Sequence, residues 1–233
     1  MAKTSKMQIF LVIMTIFAVG LSIVNFYLLT QKDNNQGGTT TARGNRAELL
    51  TDDPVIGDNS APVTILMYSD PSCPFCAAAS GVNAEMVNYM KSRDASWEAP
   101  VPGIIKDYVK TGKAQLIFRY YPGHGTGGEA FKMMYCANEQ GKFWEMHDAV
   151  FEHQDQVEDV EALKGYAAGL GIDTNKLDAC MAGSKASAKM QQDTNLGRQG
   201  GISGTPGFIV NGQVVSGAVS YPSIKQVIDS KLA

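Results

Sequence analysis

The sequence predicts an α/β domain in which a block of helices separates two strand-bearing halves, with one membrane-spanning helix ahead of it. Three observations carry that prediction. A charge-free apolar run lies near the start. Two short β-prone runs precede a long stretch of helical pattern, and a hairpin signal followed by one more helix closes the chain.

Composition sets the outer bounds. The chain has 233 residues, 44% hydrophobic and 18% charged, with Lys+Arg 20 against Asp+Glu 23 and a net charge of -3. No basic surplus exists for a nucleic-acid partner. Gly 24 and Pro 9 are ordinary amounts, which excludes collagen-like or wholly disordered character. Cys 4 is too few for a disulfide-framework miniprotein.

Residues 1–30 read as a signal anchor. Between Met7 and Thr30 no residue is charged, and 18 of the 24 positions are apolar. As a helix this run spans roughly 36 Å, enough for a bilayer core of about 30 Å. Lys3 and Lys6 precede it, so the N-terminus is expected in the cytoplasm and the remainder outside, as a single-pass membrane protein. Ala18-Val19-Gly20 fits a cleaved signal, but the apolar run continues to Leu29, longer than an h-region of about 7–15 residues. An uncleaved anchor is therefore expected, and both readings export the rest. A buried core helix fits poorly, since no amphipathic stripe is visible. Residues 31–53 are polar and read as a flexible tether, spanning roughly 25 Å as a coil.

The folded domain is expected over residues 54–233. Val63–Tyr68 is short, apolar and β-prone, suited to a central strand covered on both faces. Asp70-Pro71-Ser72 breaks it, and Cys73-Pro74-Phe75-Cys76 opens a helical stretch toward Lys91. Pro74 fits the first helical position. Ser92–Pro102 reads as irregular, Ile104–Lys110 as a short helix and Ala114–Tyr121 as a second strand. Helical pattern fills the insertion, about residues 124–200, in five pieces: Glu129–Gln140, Lys142–His153, Val160–Leu170, Thr174–Met181 and Ser184–Gln199. Asn211-Gly212 between Phe208–Val210 and Gln213–Val215 is a strong hairpin signal, favouring a type I′ turn. A helix over Tyr221–Leu232 ends the domain.

The chemistry centres on the first cysteine pair. A C-x-x-C serves metal binding or dithiol redox work. Zinc normally needs four N/S ligands, whereas Cys136 and Cys180 are isolated and none of the three His falls in a spaced pair. No metal and no cofactor are expected. Haem attachment would need His after Cys76, where Ala77 stands. The strand–turn–helix context favours redox chemistry. Cys73 would sit at a helix N-terminus, where free N–H groups and the dipole stabilise a thiolate. Cys76, one turn on and more buried, would resolve a mixed disulfide. A plain buried disulfide is the bland alternative, but so small a loop gains little closure entropy.

At these residues the sequence resembles the DsbA-like thioredoxin-fold oxidoreductases of bacterial cell envelopes. The matching stretches are Ala61–Ile65, Tyr68–Asp70, Cys73–Cys76, Gly141–Asp148 and Gly204–Phe208, spread in order through the exported domain. The resemblance implies a thioredoxin fold with an inserted helical subdomain. It also implies that Pro206 is a cis-proline facing the cysteines and that the Thr205 backbone pairs with an extended substrate. A simple turn is the alternative for that segment. The implied partners are exported proteins with free thiols or disulfides and a quinone-linked membrane redox protein. Some members carry a second cysteine pair, and in an oxidising compartment Cys136 and Cys180 are expected to be joined rather than separate buried thiols.

Other candidates carry less. His147 and His153 read as surface or structural, and His124 as a loop residue that could approach the site. Asp70 could assist proton transfer to Cys76, although a turn role fits better. Met86, Met90, Met133 and Met134 could line a peptide groove, with core packing as the default.

Direction stays open at this point. Strongly oxidising members carry Pro-His between the cysteines, and this chain carries Pro74-Phe75, which lacks that donor to the thiolate. Oxidase is the expected direction, with a less oxidising potential. A reductase or isomerase, or a redox-inert envelope chaperone retaining the fold, are the alternatives. An isomerase usually needs dimerisation, for which no segment is evident.

Overall fold

The computed structural model describes residues 50–233. The membrane helix expected at residues 1–30 and most of the tether lie outside the described residues. Among the described residues, no helix is long and apolar enough to cross a membrane.

Five strands, β1 (Val55–Ile56), β2 (Val63–Ser69), β3 (Ala114–Tyr120), β4 (Gly207–Val210) and β5 (Gln213–Ser216), form one sheet in the order β1-β3-β2-β4-β5. Only β2 and β3 pair in parallel, with Val63 opposite Ala114 and Ser69 opposite Tyr120. The other pairs are antiparallel. Every residue of β2 and β3 is buried. Alternate side chains serve two cores: Val63, Ile65, Met67, Leu116 and Phe118 face one, and Leu66, Tyr68 and Ile117 the other. That is the period-2 projection of a strand covered on both faces, which is why the central strand reads as a continuous apolar run.

Between β2 and β3 run α1 (Pro74–Ser80), α2 (Ala84–Arg93) and α3 (Pro100–Ile104), the last continuing as a π-helical turn over Ile105–Val109. The single helix expected toward Lys91 is thus two. Gly81 ends α1 in the left-handed region at φ 79, and Asn83 Oδ1 restarts the helix by accepting from the Met86 N–H at 3.0 Å. A Cβ at Gly81 would lie 2.5 Å from Pro102 Cγ, so close approach also demands glycine there. Pro100 and Pro102, in the segment expected to be irregular, instead occupy the first turn of α3. There the missing N–H has no intrahelical partner to lose.

The helical insertion comprises α4 (Gly128–Asn138), α5 (Phe143–Glu152), a 3-10 turn (Gln154–Gln156), α6 (Val160–Gly169), α7 (Thr174–Met181) and α8 (Lys185–Gln199). Phe131, Phe143, Met146, Val150 and Phe151 pack into the core that Phe118 enters from β3. The Phe118 ring lies 5.1 Å from Phe143 and 6.2 Å from Phe131, centroid to centroid. The chain then returns through β4 and β5. Asn211 (φ 42) and Gly212 (φ 84) turn the hairpin with the two positive φ values a type I′ turn requires. Helix α9 (Tyr221–Ser230) follows.

A buried ionic cluster ties the insertion to the sheet. Lys189 of α8 bonds Asp53 at 2.8 Å and also pairs with Asp193, while Arg119 of β3 bonds Asp53 at 2.7 Å. Asp193 Oδ2 accepts from the Tyr120 backbone N–H at 3.1 Å. Asp53, expected at the end of the tether, is held inside the domain by these long-range ion pairs. Asp52 is bonded in as well, accepting from the Tyr135 hydroxyl at 3.1 Å.

Candidate active site

Strand β2 ends at Ser69, and the next four residues form the turn that sets the site. Asp70 is fully buried and organises it. Its Oδ1 accepts from the Ser72 N–H at 2.8 Å and the Ser72 hydroxyl at 2.7 Å. Its Oδ2 accepts from the backbone N–H groups of Gly123 at 2.6 Å and His124 at 2.9 Å. Asp70 thus fastens two loops together, which is the turn role. No room is left beside it: a Cβ at Gly127 would sit 2.1 Å from Asp70 Oδ1.

Cys73 is the N-cap of α1 and Pro74 its first helical residue. The two cysteines are free thiols, both buried, with the residues 1% and 2% exposed. Both residues are closed to solvent, and burial weighs more on the Cys76 thiol than on the Cys73 thiol, as expected. The Thr205 carbonyl, which accepts from Cys73 Sγ at 3.4 Å, closes in on it. Hydrogen bonding at Cys73 and burial at Cys76 together separate the two sulfurs. The Cys76 thiol donates toward Cys73, and the N–H groups of Cys76 and Phe75 add to it. Against burial, these hold the Cys73 thiol down to about 6. Cys76 is pushed well above its ordinary value, by burial first and by its neighbour Cys73 second. Two thiols one helical turn apart are thereby split into an ionisable sulfur and a protonated one.

Thr205 and Pro206 sit on the segment before β4, and the peptide bond between them is cis. A Cβ at Gly123 would fall 2.1 Å from Thr205 Oγ1, so the loop held by Asp70 packs directly on this segment. Phe75, between the cysteines, is 44% exposed and among the large hydrophobic side chains left open. The structure therefore gathers Cys73, Pro74, Phe75, Cys76, Thr205 and Pro206. Cys136 and Cys180 lie elsewhere, on α4 and α7, joined by a disulfide with Cα atoms 5.7 Å apart.

The secondary candidates sort plainly. His147 is buried among Phe118, Phe143, Trp144 and Phe151, with Nδ1 on Asp148 at 2.9 Å. His153 stacks on Tyr166 at 4.1 Å. His124 is exposed on the loop that Asp70 holds. Met133 and Met134 are core, and Met86 and Met90 are half-buried. Among the described residues, no three His, Cys, Asp or Glu side chains converge on a point that could hold a metal ion.

Gln154 carries a role the sequence does not announce. From the 3-10 turn of the insertion its Nε2 donates to the carbonyl oxygens of Pro71 at 2.7 Å and Cys73 at 3.0 Å. Its partners stand 83 and 81 residues away in the chain, so no local pattern could mark it.

Comparison with known proteins agrees with this geometry. A family model described as Thioredoxin matches residues 50–92 and 94–230. The Na(+)/H(+) antiporter NhaA 3 of Salinispora tropica is 29% identical over 184 residues, covering 78% of this chain but 25% of that protein. The chain thus spans about a quarter of the length of such relatives. Disulfide bond formation protein D of Bacillus subtilis is 25% identical over 190 residues, 77% of each chain. The crystal structure of alpha-DsbA1 from Wolbachia pipientis superposes with a TM-score of 0.62 at 24% identity, covering 78% of this chain and 92% of that one. The chain therefore belongs to the thioredoxin family, and it is similar to DsbA-like thiol–disulfide oxidoreductases in sequence and fold.

Proposed function

We propose that Cys73-Pro74-Phe75-Cys76 exchanges disulfides with exported proteins outside the cytoplasm, in the oxidising direction, from a domain tethered to the membrane by residues 1–30. The opposite displacement of the two thiols carries this reading. In the oxidised protein a substrate thiolate attacks Cys73 Sγ. The Cys73–Cys76 bond breaks, a mixed disulfide forms, and Cys76 leaves and takes up a proton. A second substrate thiolate then attacks the mixed disulfide and releases Cys73 as a thiolate. Two electrons and the substrate's two protons have left the substrate, the electrons resting on the cysteine pair. A membrane partner of the quinone-linked kind would take them onward.

Thr205 and Pro206 supply the docking edge. An extended substrate pairing with the Thr205 backbone brings its sulfur to the side of Cys73 that the Thr205 carbonyl contacts at 3.4 Å. Cys73, held near 6, is about nine-tenths ionised at pH 7, and so is a good leaving group. At that pH its ionisation favours the reduced pair by about 1.4 kcal/mol, or about 30 mV. That tilts the pair toward oxidising others but falls far short of the roughly 150 mV separating thioredoxin from the strongest oxidant of the fold. Phe75 offers no donor to add to it.

Cys73→Ser tests the reading. It should abolish insulin reduction and disulfide transfer to reduced peptides, and retained activity would end it. Equilibration with glutathione buffers should place the potential below that of the strongest oxidants; a value as high as about -120 mV would overturn the role given to Phe75.

A further inference from the structure

Beside the cysteine turn lies a groove of about 690 Å³, open to solvent, that the exchange chemistry does not use. Ser72 and Pro74, the residues on either side of Cys73, form its near end. One wall is the start of α2, Asn83–Met86, and the other is Glu152, Gln154 and Asp155. The walls are fixed rather than loose. Asn83 Nδ2 donates across to the Phe151 carbonyl at 3.0 Å, and Gln154 is bonded to the turn itself.

The charge of this groove is one-sided. Glu85, Glu152 and Asp155 line it, all exposed, and no Lys, Arg or His lines it with them. Every other feature of the wall is neutral, from Met86 and Val82 to Gln154. Among the described residues, Lys132, Lys142, Lys164, Lys176, Lys185 and Lys225 hold partners elsewhere, and the three groove carboxylates enter no ion pair. Such uncompensated carboxylates in a concave surface focus a negative potential beside the turn that carries Cys73.

We propose that this groove selects the substrates of the cysteine pair, favouring cysteines flanked by Lys or Arg over those flanked by Asp or Glu. The proposal rests on the exchange function above and names the class of polypeptide it serves. The carboxylates act before chemistry, by raising the encounter rate of cationic segments and opposing anionic ones. Neither end of the exchange changes: the peptide dithiol still loses two electrons and two protons to the Cys73–Cys76 disulfide.

Single-turnover reduction of the oxidised domain by two dithiol peptides, identical except for flanking lysines or glutamates, tests it. At low ionic strength the lysine peptide should react at least about tenfold faster, and the ratio should shrink toward one in 1 M salt, where the screening length is about 3 Å. Glu85→Gln, Glu152→Gln and Asp155→Asn combined should bring the low-salt ratio to within about twofold. Glu129→Gln, Glu139→Gln and Glu145→Gln combined change net charge equally outside the groove and should leave the ratio alone. Equal rates for the two peptides, a ratio surviving the groove triple, or an equal fall in the control triple would overturn the groove's role. Failure of both peptides to reduce the Cys73–Cys76 disulfide would instead overturn the exchange function beneath it.

Discussion

The domain buries ionisable groups in two regions and treats them in opposite ways. At the cysteine turn there is no counter-ion. Hydrogen bonding from Cys76 first, then with Thr205 and from backbone N–H groups, outweighs burial at Cys73, so its charge stays available to leave or attack. In the cluster of Asp53, Arg119, Lys189 and Asp193, two acids and two bases answer one another, all but inaccessible to solvent. Burial pushes the Asp53 carboxyl up, but Arg119 and Lys189 more than reverse it and hold it below its ordinary value. For Asp193 burial wins over Lys189, and the carboxyl is raised to about 6. Similar burial thus yields a reactive sulfur in one place and a brace in the other. The deciding difference is whether a charge is met by dipoles or by an opposite charge.

The comparison breaks most visibly at Asp53. Asp53→Asn leaves Arg119 and Lys189 with Asp193 as the remaining carboxylate of the cluster, and removing one partner of a buried pair costs about 3–5 kcal/mol. Urea unfolding should show that loss in the midpoint, while the pH dependence of Cys73 alkylation stays put. The sign with pH is definite. Asp53 sits below its ordinary 3.8, so its contribution is present above that value and is lost as pH falls through its lowered folded value. In the variant this acid-side loss should flatten. An unchanged urea midpoint would mean the cluster is not a brace.

A second brace in the insertion should give a similar or slightly smaller effect. Cys136 and Cys180 are 44 residues apart in sequence, and closing that loop stabilises the fold by about 4 kcal/mol in the chain-entropy model. Replacing both by Ala should lower the unfolding midpoint accordingly and leave disulfide transfer through Cys73 intact. Lost transfer in a folded double variant would show that the two regions are coupled after all.

Legibility in the sequence follows the range of the forces involved. The central strand is visible because burial on both faces makes Val63–Met67 almost wholly apolar, and the hairpin because Asn211-Gly212 tolerates two positive φ values. The helix-capping place of Cys73 is visible because Pro74 follows it. These are local signals. The two-residue strand β1 has too few side chains to show a period, and it exists because Val55 meets Ile117 across the sheet. The helix break at Gly81 is marked locally only by one more small residue after Ala77-Ala78-Ala79-Ser80. Lys189 and Asp193, four apart on α8, carry no local mark of burial, and only the fold brings Asp53 to them. Gln154 is the extreme case, a polar residue in a short turn whose whole meaning lies in two distant carbonyl groups.

Gln154 also supplies the smallest and sharpest test, because it reaches the cysteine turn without touching either sulfur. Its two hydrogen bonds engage the negative ends of the Pro71 and Cys73 carbonyl dipoles. With those donors removed, the Pro71 oxygen loses its Gln154 partner, the Cys73 oxygen keeps only the N–H groups of Cys76 and Ala77, and the turn that aims N–H groups at Cys73 loosens. Both effects disfavour the charged sulfur. In the wild type, iodoacetamide should trap Cys73 with a midpoint near pH 6, and Cys76 only at much higher pH. Gln154→Ala should move the Cys73 midpoint upward at a stability cost of about 1–3 kcal/mol for the two hydrogen bonds lost. Gln154→Glu, which replaces the donor with a carboxylate, should move it further in the same direction. A residue that only held the insertion in place would lower stability in both variants and leave the midpoint where it was, so the order wild type, Ala, Glu along the pH axis separates positioning from packing.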